Sequence, residues 1–158
     1  MRRFILLGSL GVFASLFATV QPLYAADFSN ASITGSIACV GSGTAMVTAN
    51  GKTTPVPLST LFHLIADGKG NWTGGTMTSN AGGMVCTYAV GTGSTYSVNS
   101  DGTGTSAING KGAASNPTQC APTLVNPASF VNFTQTSGFA IGTGANGTAW
   151  AVCERQRP

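Results

Sequence analysis

Five side chains beyond residue 26 can trade a proton near neutral or acid pH: Asp27, Asp67, Asp101, Glu154 and His63. General acid–base catalysis needs two such groups, with separated pKa values, held against one substrate. No spacing in this chain puts two of them on one face of one element. Asp67 opens the stretch "DGKGN" and Asp101 opens "DGTGT". A calcium loop would need several converging oxygens, but Asp67 is the only carboxylate for more than thirty residues on either side, and Lys69 adds a repelling charge. Both stretches therefore read as tight turns whose glycines supply left-handed backbone and whose Asp accepts backbone N–H groups. His63 is flanked by Leu61 and Ile65 and reads as a packed or surface imidazole. Serines are plentiful, but no Gly-x-Ser-x-Gly elbow precedes a helix, and triad partners are missing. The sequence assigns no catalytic residue, no metal ligand set and no cofactor motif, and the reading leans towards a protein that is not an enzyme.

Two other residue classes are better placed to act. Cys39, Cys86, Cys120 and Cys153 make an even set without a Cys-x-x-Cys pair and with a single His in the chain, which argues for two disulfides over a zinc site. Three pairings are open. The aromatic residues Phe62, Trp72, Tyr88, Tyr96, Phe130, Phe133, Phe139 and Trp150 fall in strand-like runs. The interior of a small barrel is filled by such rings or left open for one ligand. Phe62, Leu64, Trp72, Tyr96 and Trp150 are the expected lining of a ligand site.

The elements that must position these residues follow from pattern. Arg2-Arg3, the apolar "FILLGSLGVFASLFATV" and the small residues of "QPLYAADFS" read as a secretory leader over residues 1–25, followed by one β-barrel domain over residues 26–158. Removing Arg2 and Arg3 from seven basic residues leaves five against four acidic ones, too little for a nucleic-acid surface. Nothing after Ala26 is apolar for long enough to span a bilayer as a helix, so no membrane association is expected once the leader is cleaved. The expected address is exported, periplasmic or extracellular.

Beyond the leader, short apolar runs alternate with Thr, Ser, Asn and Gly at period two. "SITGSIACV", "LSTLFHLIA", "NWTGGTMTS", "MVCTYAV", "STYSVNS", "GTSAIN", "FVNFTQT" and "TAWAVCE" are the expected strands, with Asn50-Gly51, Asp67-Gly68, Gly82-Gly83, Asp101-Gly102, Asn109-Gly110 and Asn146-Gly147 as turns. "LSTLFHLIA" is apolar on both faces, as befits a strand covered twice or one whose outer face meets a partner. "GKGAASNPTQCAPTLVNPAS" reads as one long loop. The fold class is all-β: a single antiparallel meander of about eight strands, closed as a barrel in preference to a sandwich, because closure removes edges that this charge-poor chain cannot otherwise protect. Closure brings first and last strands together, which pairs Cys39 with Cys153 and leaves Cys86 with Cys120, each bridge stabilising the fold by roughly 2–4 kcal/mol.

The stretches "ITGSIACVGSG", "LIADGKGNWTGGTMTSNAGGMVCTYAV", "GSTYSVNSDGTGTSAI" and "TAWAVCERQ" resemble a group of uncharacterised exported bacterial proteins that share Asp-Gly-x-Gly-Asn and Gly-x-Tyr-x-Val-x-x-Asp-Gly-x-Gly-Thr hairpins. The resemblance implies a small lipocalin-like or allene oxide cyclase-like barrel and carries over no catalytic residue. Three functions are compatible with it: a non-enzymatic barrel binding a small apolar ligand, a structural or surface-interaction protein that self-associates, and a cyclase or isomerase acting by cavity shape with His63 inside.

Overall fold

The computed structural model describes residues 27–49, 51–131, 137–142 and 147–156. The expected leader over residues 1–25, Ala26, Phe133, and the Asn50 and Asn146 of two expected turns lie outside them. A 3-10 turn, Asn30–Ser32, leads into nine strands: β1 Thr34–Ala49, β2 Lys52–Asp67, β3 Trp72–Ala81, β4 Met84–Val90, β5 Thr95–Val98, β6 Gly104–Gly112, β7 Thr123–Val131, β8 Ser137–Gly142 and β9 Gly147–Arg155. All pair antiparallel in a single meander sheet, in the order β4-β3-β2-β1-β9-β8-β7-β6-β5. A further pairing of β4 with β6 joins the two ends, so the sheet runs round in a ring.

The seam is shared. Along one edge of β6, Gly104–Ala107 pair with β5 and Gly110–Gly112 pair with β4. An Asn71–Thr95 bridge ties the β2–β3 turn to β5 on the same side. Between them the two short strands occupy the place of one long strand; the ninth strand, against about eight expected, is β8.

The disulfides fasten this ring where the meander closes. Cys39 on β1 and Cys153 on β9 are direct register partners and are bonded. Cys86 on β4 is bonded to Cys120, which pins the β6–β7 connection across the seam. This is the connectivity expected from closure, and two disulfides fit an oxidising, exported environment.

Three sequence expectations need correction, the first being the Asn109-Gly110 turn, which lies inside β6. The long loop "GKGAASNPTQCAPTLVNPAS" is strand at both ends: β6 runs through Lys111 and Gly112, and β7 begins at Thr123. Pro127 conceals β7 because proline cannot donate to a ladder, but it sits just where pairing with β8 stops, at Ala128. The short "SGFAIG" of β8, too glycine-rich to read as a strand, is the second omission. β1 and β2 also run to Ala49 and from Lys52, making a hairpin arm that outlasts its neighbours, since β9 pairing ends at Ala45 and β3 pairing begins at Leu58.

Alternation places Ile37 and Cys39 of β1, Phe62, Leu64 and Ala66 of β2, Cys86 and Tyr88 of β4, Ile108 of β6, Phe130 of β7 and Ala151 and Cys153 of β9 in the buried interior. Burial of these side chains is the main stabilising term, on the order of 1.5–3 kcal/mol for each large one. No helix among the described residues is long and apolar enough to cross a membrane.

Candidate ligand-binding cavity

The interior has a filled end and a hollow end, and residue size explains both. At the filled end Trp72 and Tyr96 meet with ring centroids 4.7 Å apart. Trp72 Nε1–H donates to Ser106 Oγ (2.9 Å), and the Tyr96 hydroxyl donates to the carbonyls of Ile33 (2.7 Å) and Asn30 (3.2 Å). The 3-10 turn thus serves as a plug. Val98 N–H donates to Asn30 Oδ1 (2.9 Å), and Arg155 Nη2 donates to the Ser32 carbonyl (3.1 Å), fixing the plug from both sides. Burial pushes the Tyr96 phenol above its ordinary pKa, and the Tyr88 phenol likewise.

Trp72 reaches the interior through a β-bulge. Ile65 pairs with Gly74 but Ala66 pairs with Trp72, so Thr73 is an extra residue on β3. Strict alternation from the buried Met77 would send Trp72 outward; the inserted residue reverses the parity and buries both. Thr73 Oγ1 donates to the Ile65 carbonyl (3.3 Å) at this step.

Toward the other end the inward positions shrink. β1 offers Gly41, Gly43 and Ala45; β8 offers Ala140 and Gly142; β9 offers Ala149 and Ala151. Side chains this small cannot meet across the ring, and the space they leave forms two adjoining chambers. The inner one, about 120 Å³, is bounded by Phe62, Leu64, Trp72, Ile108 and Phe130. The outer one, about 490 Å³, is bounded by Met46, Met77, Met84, Leu124, Tyr88 and the Cys86–Cys120 bridge. Leu58, Thr60, Asn126, Gly142 and Ala149 border both. No Asp, Glu, Lys, Arg or His borders either chamber among the described residues.

Of the five lining residues expected from sequence, the structure brings Phe62, Leu64 and Trp72 together on the inner chamber. Tyr96 lies behind Trp72, committed to the plug. Trp150 belongs to the wall, but its neighbours Ala149 and Ala151 face inward, so its ring faces outward, 46% exposed and stacked on Phe139 at 6.3 Å. Met77, Ile108, Leu124, Asn126 and Phe130 were missed. Met77 was obscured by the bulge, and Leu124 and Asn126 by their placement in the supposed loop; Ile108 and Phe130 carried the ordinary inward-facing signal.

The polar residues sit elsewhere. His63 is exposed on the outer face of β2, sharing a hydrogen bond with Ser36 Oγ at 2.7 Å. It is therefore not a proton donor or acceptor for anything held inside the ring. Asp67 accepts from the backbone N–H of Lys69 (2.7 Å) and Asn71 (3.0 Å) and from Asn71 Nδ2 (2.7 Å). Asp101 accepts from Thr103 N–H (2.9 Å) and Oγ1 (2.6 Å). These are two turns of one design. Among the described residues no three His, Cys, Asp or Glu side chains gather as a metal site. No protein family, curated protein or solved structure matches this chain.

Proposed function

We propose that the protein is an exported, non-enzymatic carrier or sensor that binds a small apolar molecule inside its ring of strands, in the periplasm or outside the cell. The observation that carries this reading is a hollow lined by aliphatic, aromatic and methionine side chains with a few neutral polar groups. The outer chamber falls in the range of small-molecule sites, roughly 300–1,000 Å³. Flexible Met77 and Met84 can adapt their shape to an irregular guest. Trp72 makes the reading testable. In a Trp150→Phe background it is the remaining tryptophan, and titration with the apolar dye 8-anilinonaphthalene-1-sulfonate's uncharged parent, N-phenyl-1-naphthylamine, should quench it saturably. Ala140→Phe, which adds bulk at the inner chamber, should lower that affinity at least tenfold. Unsaturable quenching, indifferent to Ala140→Phe, would count against an interior site.

A second reading concerns the outer wall. Leu61, Val40, Val152 and Phe139 lie side by side across β2, β1, β9 and β8, and Trp150 and Ile141 form the next row. All six are exposed, Val40 by 60% and Leu61 by 57%. Together they present on the order of 500 Å² of apolar surface, near the upper end for a monomer and a large part of the roughly 800 Å² that each partner of a stable pair contributes. The side across the ring, with Thr76, Thr78, Thr105 and Lys111, carries Val85 and Val125 singly and no such row among the described residues. The reading is self-association through this wall. Sedimentation at micromolar concentration should show a dimer that Val40→Lys/Leu61→Lys returns to monomer; a wild-type monomer across that range would dismiss it.

A further inference from the structure

Among the described residues both chambers lack charge but not polarity, and that difference defines what they can hold. We infer that the site selects uncharged amphiphiles: molecules with an apolar body and one neutral hydroxyl or carbonyl group, anchored by Asn126 where the two chambers meet. The inference rests on the reading of the interior as a ligand site and narrows it.

An ionised headgroup buried without a counter-charge loses several kcal/mol of hydration. The described walls provide no cation for a carboxylate and no anion for an ammonium group. Among the described residues the charges sit at the exposed Asp27 before the 3-10 turn, on the hairpin arm at Lys52, in the turns at Asp67, Lys69 and Asp101, and on outward or end positions at Lys111, Glu154 and Arg155. A charged guest would therefore have to leave its headgroup in water.

A neutral headgroup, by contrast, has a partner. Asn126 points inward from β7, opposite Ile108 in register, and borders both chambers. Its amide donates to Met77 Sδ at 3.7 Å. A thioether is a weak acceptor, so the side chain gives up little by turning to a better one, and its carbonyl is free of any described donor. Ser106, another polar group of the inner chamber, is already engaged by Trp72. Thr60 also borders both chambers and offers a second hydroxyl nearby. The body of the guest would then lie toward Phe62, Leu64 and Phe130.

Three probes with one alkyl chain separate the possibilities: 1-decanol, decanoate and decyltrimethylammonium, titrated calorimetrically into the processed, oxidised protein at pH 7.5. The alcohol should bind at least tenfold more tightly than either ion, and decanoate should gain affinity as acid neutralises its carboxylate. Asn126→Leu should weaken 1-decanol several-fold relative to the aromatic dye N-phenyl-1-naphthylamine, as expected for loss of a single neutral hydrogen bond. Decanoate or the ammonium binding as well as the alcohol would overturn the selectivity and leave an interior site standing. An Asn126→Leu protein that binds the alcohol as the wild type does would overturn the anchor. If none of the three probes and no dye binds, the interior site itself fails and the inference with it.

Discussion

Asp67 shows how a single acidic side chain can be spent on architecture. Three N–H groups converge on it, chiefly from the Asn71 side chain and then its backbone, with help from Lys69, and they hold its pKa down to about 2. A carboxyl whose pKa is depressed on folding contributes stability that is present above its unfolded value, about 4, and is lost as pH falls toward the folded value. Asp67→Asn should therefore lower the urea midpoint at pH 7, and the gap from wild type should close as pH is taken from about 4 to about 2; a gap independent of pH would show that the turn does not rely on the charge. Asp101, lowered by the Thr103 hydroxyl and then its N–H, follows the same logic in its own turn. The two turn aspartates were legible in sequence because Asp-Gly with a second glycine is a local signal, decided within five residues. His63 was not, because its environment depends on which face of β2 meets solvent.

Among elements, β3 is the one whose local detail most affects the cavity. Its bulge at Thr73 allows a strand that buries Trp72 also to bury Met77. Deleting Thr73 would place Trp72 four residues before Met77, so that plain alternation buries both without a bulge. The expected result is an unshifted Trp72 emission in the Trp150→Phe background. A red-shifted emission would show that Trp72 needs the bulge itself to stay in the interior. The β1–β2 arm poses a different problem at this scale, since a two-stranded ribbon standing clear of its neighbours exposes edges. Pro55 and Pro57 on β2 answer it by removing two edge donors. The Pro57 carbonyl is not wasted, accepting from Gly82 N–H at 2.9 Å.

For the whole molecule, the question is what keeps a glycine-rich ring closed. Twenty-two glycines raise the backbone entropy lost on folding, and only the interior and two bridges offset it on a large scale. The Cys39–Cys153 bridge spans 114 residues and the Cys86–Cys120 bridge spans 34. Loop entropy makes the longer bridge more stabilising by roughly 1 kcal/mol. Cys39→Ala/Cys153→Ala should thus lose more stability than Cys86→Ala/Cys120→Ala in equilibrium unfolding, and the reverse order would show that pinning the β6–β7 connection at the seam outweighs closing the meander. The seam also depends on close approach. An added Cβ at Gly104 would run into the Ser97 carbonyl and the Phe130 ring, its partner across β6 and β7.

The sequence alone determined the features that depend on composition and near neighbours: strand period, Asp-Gly turns, the even cysteine count and the sparse charge. It also determined the bridges, through a single topological step, since a meander that closes must bring Cys39 to Cys153. Register parity past Thr73, the strand hidden around Pro127 and the outward turn of Trp150 were settled only by the tertiary structure. So was the hollow itself. A residue's size is written in the sequence, but whether Gly41, Ala151 and Ala140 leave space depends on their lying side by side on three adjacent strands and on what the closed sheet places opposite them, and that is a property of no segment taken singly.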